Sequence, residues 1–324
     1  MKNIILKNKT LIKITPSQPF QFDSTFHKPD HFTTPDNYWE SGLYYQTMLW
    51  QGESLGLVFK DTKPAITLQV FSKNKLDSCF LNELKQEIIY RYNLDLNIKK
   101  FYKDAGENKT VKSAIKRFKG MRPSHSGSLY EYIIVAITLQ NATVRRTVSM
   151  MQALFNNYGT KLTFAGKELY CFWEPKYLVK KSSEEILRSL KLGYRAKSIY
   201  KISEQFADNK VDEFKLRKMD IEKQEEALLS LYGIGPASTD YMMEGIFHRF
   251  GYLNKISPWE QKIYTKIFWN KDFNKELVST EIMLSYFKKQ FGEWQRLAIH
   301  YVWEDLWWQR KYKKITWLEK EIRL

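Results

Sequence analysis

The spacing of apolar and polar residues divides the chain into a strand-rich first part and a helical remainder. Four short runs near the N-terminus are rich in β-branched and aromatic residues: 11–14, 44–50, 55–59 and 65–71. Turn-forming residues separate the last three runs, at 51–53 and 61–64. Runs of this composition between turn residues are typical of strands joined by hairpins. The pattern therefore predicts an antiparallel sheet in the first part of the chain.

From Leu81 onward the apolar positions recur at helical spacing. Ser128 and Glu131 have the spacing of a capping box, in which each side chain bonds the backbone of the other residue. Asp220 precedes a second amphipathic segment, and Pro236 stands where a helix tolerates proline, in its first turn. We therefore predict helices that begin near Ser128, Asp220 and Pro236, and a helical second part.

These two patterns predict an α+β fold in two parts. The first part, at 1–110, is a β-rich domain with one or two helices, and the second, at 111–324, is a helical domain. Of the 324 residues, 43% are hydrophobic and 27% charged, which is ordinary for a protein with well-packed cores. A chain of this length accommodates two domains of medium size.

The net charge indicates which partners the protein could bind, and the small number of cysteines indicates its cellular compartment. Lys and Arg number 52 and Asp and Glu 36, which leaves a net charge of +16. A surplus of this size attracts polyanions, so nucleic acid is the first candidate partner and an anionic membrane surface is the alternative. Apolar runs are shorter than the roughly 18 residues that a membrane-spanning helix needs. Cys79 and Cys171 are too few for a disulfide framework or an iron–sulfur cluster, so we expect an intracellular protein, in the cytoplasm or at the nucleoid.

The motif with the most chemical content joins two predicted helices. It consists of Gly233, Ile234, Gly235, Pro236 and Ala237. Two glycines permit a tight turn and the close approach of another backbone. The turn leads into a helix N-terminus, whose free N–H groups and positive dipole end suit a phosphate. A plain corner between two helices is the alternative, but the flanking Leu231, the proline and the basic charge favour a DNA contact.

With segments elsewhere, this motif resembles the helix-hairpin-helix DNA glycosylase superfamily, especially 3-methyladenine glycosylase II and 8-oxoguanine glycosylase. Other segments similar to family motifs occur in the family's order: 118–123 with 129–131, 139–145 and 192–197. The resemblance implies a TATA-binding-like antiparallel sheet followed by an all-helical domain. In that domain it places the helix-hairpin-helix motif at about 221–250 and a catalytic loop at about 251–262.

The resemblance also implies DNA base-excision repair, in which a damaged base is flipped out and its N-glycosidic bond is cleaved. Departure of the base leaves positive charge on the sugar, which a nearby carboxylate stabilises while it activates water. The family uses an Asp that follows a Pro beyond the hairpin; the matching acid here is Glu260. Glu in place of Asp departs from the family pattern, and a surface acid at a helix N-terminus is the alternative.

The position of a lysine separates two kinds of family member. Members that also cut the sugar–phosphate chain carry a Lys two residues after the second hairpin glycine, where it forms a Schiff base. Ala237 occupies that position here, so the resemblance implies a monofunctional glycosylase. Two alternatives stay open: a non-catalytic binder of damaged or abasic DNA, and a bifunctional 8-oxoguanine glycosylase/AP lyase with a displaced lysine.

Two further sites follow from the resemblance. Gln140 and Asn141 match the loop that separates the strands and fills the gap left by the flipped base, although Asn141 is also a good helix N-cap. The backbone carbonyls of Leu229, Leu231 and Ile234 match a site for K⁺ or Na⁺. Oxygen ligands suit a hard cation, and a capped helix end is the alternative. The resemblance implies that no cofactor is required.

The remaining candidates are less specific. They are Arg122, Arg195 and Lys197 for phosphate contacts, and Trp259, Trp303 and Trp307 for an aromatic base pocket. Core packing is the alternative for the tryptophans, two of which lie one helical turn apart. Aromatic faces attract cationic bases, which favours alkylated purines as substrates. We expect a monomer that binds double-stranded DNA containing damaged bases and does not bind membranes.

Overall fold

A computed structural model describes residues 3–29 and 34–321. The strands in this part of the chain are β1 (Asn3–Ile5), β2 (Asn8–Ile14), β3 (Asn37–Glu40), β4 (Leu43–Trp50), β5 (Glu53–Thr62), β6 (Ala65–Ser72), β7 (Thr160–Phe164) and β8 (Lys167–Cys171). Five of them form an antiparallel sheet in the order β2-β6-β5-β4-β3. The others form a sheet in the order β1-β7-β8, with β1 parallel to β7.

Helices make up most of the described residues beyond the sheets. They are α1 (Phe22–Phe26), α2 (Ser78–Arg91), α3 (Ile98–Ala105), α4 (Lys109–Arg117), α5 (Leu129–Leu139), α6 (Val144–Tyr158), α7 (Pro175–Lys181), α8 (Glu184–Leu187), α9 (Arg195–Ala207), α10 (Glu213–Leu216), α11 (Ile221–Leu229), α12 (Pro236–Gly245), α13 (Pro258–Trp269), α14 (Thr280–Phe291), α15 (Gln295–Tyr312) and α16 (Thr316–Glu319). Over 3–29 and 34–321, none has the length and apolar character of a membrane span. The predicted α+β class is confirmed.

The predicted sheet is confirmed, and its hairpins form where turn residues were expected. Gln51 and Gly52 connect β4 to β5 with positive φ angles of 49° and 79°, the backbone that two-residue hairpin turns favour. Leu55, Leu57 and Phe59 alternate along β5 toward one face and are buried with α1 and α2. Residues 55–59 are all buried, so both faces of this strand are covered, and the sequence showed it as a continuous β-rich run between turn residues.

The prediction that the chain is helical from Leu81 onward is wrong at β7 and β8. These strands form a hairpin whose turn residues Ala165 and Gly166 both have positive φ. Leu162 and Leu169 lie opposite each other and are buried beside Leu6. Each strand spans five residues, and β7 completes its pairing with β1, which is distant in sequence, so a local pattern could not reveal the sheet.

The predicted helix starts are confirmed at their caps. Ser128 and Glu131 form the capping box of α5, and the Asp220 side chain accepts the N–H of Lys223 at the start of α11. Pro236 is the first residue of α12. The expected N-cap at Asn141 is wrong, because the Thr143 side chain caps α6.

The helices that carry the predicted site contribute residues to two apolar cores. One contains Met242 of α12 together with residues of α5, α6 and α9. The other contains Tyr264 of α13 and Leu297 of α15, packed with α14. Ile98 and Phe101 of α3 belong to this second core, so packing contacts cross the predicted domain division at residue 110.

Candidate active site

The predicted hairpin is the turn between α11 and α12. Gly233 has φ +79°, and a Cβ placed there would lie 2.8 Å from the Ser198 Oγ of α9, so packing and backbone both require glycine. Gly235 has φ −122°, which any residue adopts, and a Cβ there would meet no protein atom within 4 Å. The fold therefore does not require glycine at 235. Space above this residue, at the N-terminus of α12, is open to an approaching backbone.

Glu260 lies at the start of α13 and is buried, with 7% of its surface exposed. Its Oε2 accepts the N–H and the hydroxyl of Ser257, at 3.0 and 2.8 Å, in a capping box. Its Oε1 accepts the hydroxyls of Tyr264, at 3.2 Å, and Tyr241, at 3.5 Å. These donors and the helix dipole stabilise the negative charge. The alternative of a surface acid is wrong, although the position at a helix N-terminus is as expected.

Tyr241 connects the hairpin helix to Glu260 and was missed by the sequence analysis. Tyr241 is 41% exposed, and its hydroxyl donates to the Oε1 of Glu260 at 3.5 Å. Burial, followed by the negative charge of Glu260, raises the pKa of Tyr241, so it remains a neutral donor. Only the tertiary fold brings the two together, because they lie 19 residues apart on different helices.

A buried ion pair lies behind Tyr241. The Nε of Arg296 donates to the Oε2 of Glu244 at 2.7 Å, and its guanidinium lies 4.8 Å from the Tyr241 ring centroid. The Nδ1 of His300 lies 2.8 Å from the other oxygen of Glu244. Burial alone raises the pKa of Glu244, but the positive charge of Arg296 and the contact with His300 outweigh it and lower that pKa to about 2. Glu244 thus holds the Arg296 guanidinium against the ring of Tyr241.

A second carboxyl group, Asp240, lies beside Tyr241 on α12 with only 5% of its surface exposed. Burial and the negative charge of Glu260 raise its pKa to about 7, against the opposing influence of Arg296 and the N–H of Lys255. It lies outside the segment in which the sequence analysis sought acids, and no motif marks it.

The loop predicted to separate the strands is bonded to the hairpin. The Nε2 of Gln140 donates to the carbonyl of Gly233 at 2.8 Å. The carbonyl of Gln140 accepts the Tyr194 hydroxyl, at 3.2 Å, and the guanidinium of Arg195. Asn141 is exposed at the tip with φ +47°. The fold therefore brings two of the predicted elements, loop and hairpin, onto one surface.

The three predicted phosphate contacts have different surroundings. Lys197 is exposed beside the hairpin, with its Nζ 5.7 Å from the Tyr232 ring centroid. Arg195 is buried and braces the strand-separating loop. Arg122 is fully buried, and its guanidinium donates to the carbonyls of Gly120, at 3.1 Å, and Pro19, at 2.9 Å. The prediction for Arg122 is therefore corrected, because a side chain so enclosed cannot reach a phosphate.

The predicted pocket tryptophans stack on one another instead of facing an open cavity. The rings of Trp259 and Trp303 are 5.0 Å apart at 8°, and those of Trp303 and Trp307 are 5.7 Å apart at 18°. Both faces of Trp303 are therefore covered, and Trp307 is buried. We correct the prediction for these two, since neither offers a face to a base. Trp259, which stacks on Trp303 alone of these three, is half-buried.

The carbonyls predicted to bind a cation lie at the C-terminal end of α11 and in the hairpin turn. The Leu231 carbonyl accepts the N–H of Ile234 at 3.1 Å. A carbonyl oxygen has a second lone pair, so this bond does not preclude a monovalent cation. No cluster of three or more His, Cys, Asp or Glu suited to a metal occurs over 3–29 and 34–321.

No protein-family model matches the chain. It is 25% identical over 228 residues to a probable N-glycosylase/DNA lyase of Methanothermobacter thermautotrophicus, covering 65% of this chain and 70% of the relative. It is 24% identical over 237 residues to a DNA-3-methyladenine glycosylase of Bacillus subtilis, covering 71% and 76%. In structure it is similar to a 3-methyladenine DNA glycosylase of Archaeoglobus fulgidus, with a TM-score of 0.73, 16% identity, and 93% and 99% coverage.

These similarities agree with the family resemblance that the sequence motifs indicated. The curated relatives are DNA glycosylases, and the structural likeness extends over nearly the whole chain. The resemblance to helix-hairpin-helix DNA glycosylases is confirmed, and with it the α+β fold class.

Proposed function

We propose that this chain is a monofunctional DNA N-glycosylase that flips out a damaged base and hydrolyses its N-glycosidic bond. DNA N-glycosylase activity in base-excision repair is the function that the relatives and the site both support. The observation that carries the proposal is the bond between Tyr241 and Glu260. Tyr241 belongs to α12, the helix that starts at the hairpin. A DNA backbone bound at Gly235 would therefore lie at a fixed distance and orientation from the Glu260 carboxylate.

In the proposed reaction, the departing base leaves positive charge on the deoxyribose, and Glu260 stabilises that charge and orients the attacking water. Tyr241 and Tyr264 hold the carboxylate from one side while Ser257 holds it from the other. Burial raises the pKa of both tyrosines, so neither competes with Glu260 for the negative charge. Removal of a preorganised group that stabilises the developing charge, here the Glu260 carboxylate, costs on the order of 10² to 10³ in rate.

The DNA partner is proposed to lie across the hairpin and the strand-separating loop. The open space at Gly235 and the N–H groups of α12 suit one phosphate, and exposed Lys197 suits a second. Asn141, at the loop tip, is placed to fill the gap left by the flipped base. A monovalent cation on the carbonyls of Leu229, Leu231 and Ile234 would add positive charge to the same surface.

Alkylated purines are the proposed substrate class. Cationic bases are attracted to aromatic faces, and Tyr241, which donates to Glu260, is an exposed aromatic residue. With Trp303 and Trp307 covered by stacking, Tyr241 and the half-buried Trp259 are the aromatic side chains left to contact the base.

One observation favours a second candidate, a non-catalytic binder of damaged or abasic DNA. Both oxygens of Glu260 already accept hydrogen bonds within the protein. A carboxylate held in this way stabilises the fold whether or not it contacts a deoxyribose. Ala237 disfavours the bifunctional alternative, because it leaves the family's lysine position without an amine. A bifunctional enzyme would therefore need a lysine from elsewhere in the fold.

The test uses duplexes that carry 3-methyladenine, hypoxanthine, uracil or 8-oxoguanine, with base release scored for the wild type and for Glu260→Gln. Glutamine also forms a capping box, so this variant removes charge and keeps the helix start. Glu131→Gln is the matched control, because Glu131 occupies the same place in the capping box of α5.

Release by the wild type and by the control, with loss in Glu260→Gln and DNA binding retained, supports the enzyme. No release from any of the four lesions favours the binder. Borohydride trapping of a covalent DNA adduct would contradict the monofunctional assignment, since only an amine nucleophile forms the reducible Schiff base.

A further inference from the structure

Gln140, in the predicted strand-separating loop, forms hydrogen bonds within the protein through its side chain and its carbonyl. Its Nε2 donates to the carbonyl of Gly233 in the hairpin, at 2.8 Å. Its carbonyl accepts the Tyr194 hydroxyl, at 3.2 Å, and the guanidinium of Arg195. Asn141, the next residue, is exposed at the loop tip, and its Nδ2 lies 3.5 Å from the Tyr194 hydroxyl, a long hydrogen bond. The Gln140 side chain is therefore directed to the hairpin, whereas Asn141 lies at the tip.

Both partners of the Gln140 side-chain bond are anchored to one helix, α9. Arg195, at the start of α9, is buried and bonds the loop at the Gln140 carbonyl. Three residues further along, Ser198 lies so close to the hairpin turn that a Cβ at Gly233 would be 2.8 Å from its Oγ. The bond from Gln140 to Gly233 joins these two anchored segments directly. The loop, α9 and the hairpin thus contact one another pairwise, an arrangement that resists movement of the loop relative to the hairpin.

We propose that Gln140 is a positioning residue that holds the strand-separating loop against the hairpin, and that Asn141 alone fills the gap left by the flipped base. The resemblance assigned that gap to both residues, but a Gln140 side chain that entered it would lose its bond to Gly233. A loop held in place before DNA binds loses less conformational entropy when Asn141 enters the duplex. Because the gap exists only when a base is flipped out, the inference rests on the proposed function.

The first test compares binding of two duplexes, one with a tetrahydrofuran abasic analogue and one without damage, by fluorescence anisotropy. Gln140→Met keeps the length of the side chain and removes the donor. We expect it to bind the abasic duplex about 5- to 10-fold more weakly than the wild type, as the loss of one hydrogen bond implies, and the undamaged duplex equally well. Gln152→Met is the matched control, because the Gln152 Nε2 also donates a 2.8 Å bond, but to Asn156 within α6. An equal loss for both duplexes, or no loss, overturns the inference.

A double-mutant cycle separates positioning from direct filling of the gap. Asn141→Gly removes the side chain and tolerates the positive φ of residue 141. If Gln140 acts through Asn141, adding Gln140→Met to Asn141→Gly should weaken binding of the abasic duplex by no more than about 2-fold, because the two effects are coupled. Additive losses would show that the Gln140 side chain contacts DNA itself, and would overturn the positioning role.

The third test needs no DNA and therefore separates this inference from the proposed function. The Ala142 N–H donates to the Leu139 carbonyl at 3.3 Å inside the loop. Hydrogen exchange at this amide should be about 5-fold faster or more in Gln140→Met, because the loop opens more often without its bond to the hairpin, and unchanged in Gln152→Met. If the wild type neither excises a lesion nor prefers the abasic duplex, but Gln140→Met shows faster exchange, the function fails and the positioning of the loop stands. Exchange at the wild-type rate in Gln140→Met overturns the positioning role, whatever the binding result.

Discussion

The hydroxyl of Tyr264 donates to the carboxylate of Glu260 at 3.2 Å, from one helical turn further along α13. The Nε1 of Trp303 donates to the same hydroxyl at 2.8 Å. Because this bond occupies the phenol oxygen as an acceptor, the phenol proton is directed at Glu260. Trp303, which stacks between Trp259 and Trp307, thus orients the Tyr264 hydroxyl toward the carboxylate.

Removal of the Tyr264 hydroxyl should slow base release without unfolding the protein. Tyr264→Phe deletes one of the donors to Glu260, and we expect a loss of about 10-fold or more in the single-turnover rate. Tyr130→Phe is the matched control, because the Tyr130 hydroxyl also accepts a tryptophan N–H, from Trp173 at 3.2 Å, within a core away from Glu260. Equal rates for the two variants would contradict the role of Tyr264.

The two hairpin glycines should respond differently to alanine. Gly235→Ala should leave the free energy of unfolding within about 0.5 kcal/mol of the wild type, because its Cβ meets no protein atom. It should weaken binding to an abasic duplex, measured by fluorescence anisotropy. Gly233→Ala should destabilise the protein by about 1–3 kcal/mol, because its φ is positive and Ser198 is too close. Gly235→Ala with unchanged DNA affinity would argue against the hairpin contact.

DNA affinity should fall steeply as salt rises, because phosphate contacts release counterions. Lys197→Ala should reduce the slope of log K against log salt by about 1. Lys63→Ala is the control, since Lys63 is exposed in a β-hairpin and pairs with Asp61. A wild-type affinity that is insensitive to salt would count against DNA as the partner.

The buried ion pair between Arg296 and Glu244 should make stability depend on acid pH. The folded pKa of Glu244 is lowered to about 2, below the roughly 4.3 of an unfolded chain. Its contribution is therefore present above about pH 4.3 and is lost as the pH falls toward 2. Glu244→Gln should cost about 3 kcal/mol near neutral pH, because Arg296 is left buried without its partner. Denaturant unfolding at several pH values should show a shallower acid loss in the variant.

Features that depend on neighbours along the chain could be predicted from the sequence. The capping box at Ser128, the cap at Asp220 and the hairpin glycines follow from hydrogen bonds and backbone angles within a few residues. The main sheet was predicted from short runs rich in β-branched and aromatic residues between turn residues, which are local features as well. The acid beyond Pro258 was identified by its resemblance to the family's motif, and the fold then joined it to α12 through Tyr241.

The surroundings of each side chain were decided only by the tertiary structure. Arg122 looked like a surface cation, and Trp303 like a stacking platform, because neither burial nor ring contacts can be read from spacing. The pairing of β1 with β7 joins segments far apart in sequence. Asp240 acquires its raised pKa from burial and from the negative charges of Glu260 and Glu225, which lie on two other helices, against the opposing charge of Arg296. Local hydrogen bonds act along the chain, whereas burial and electrostatics act through space, so only the folded arrangement determines them.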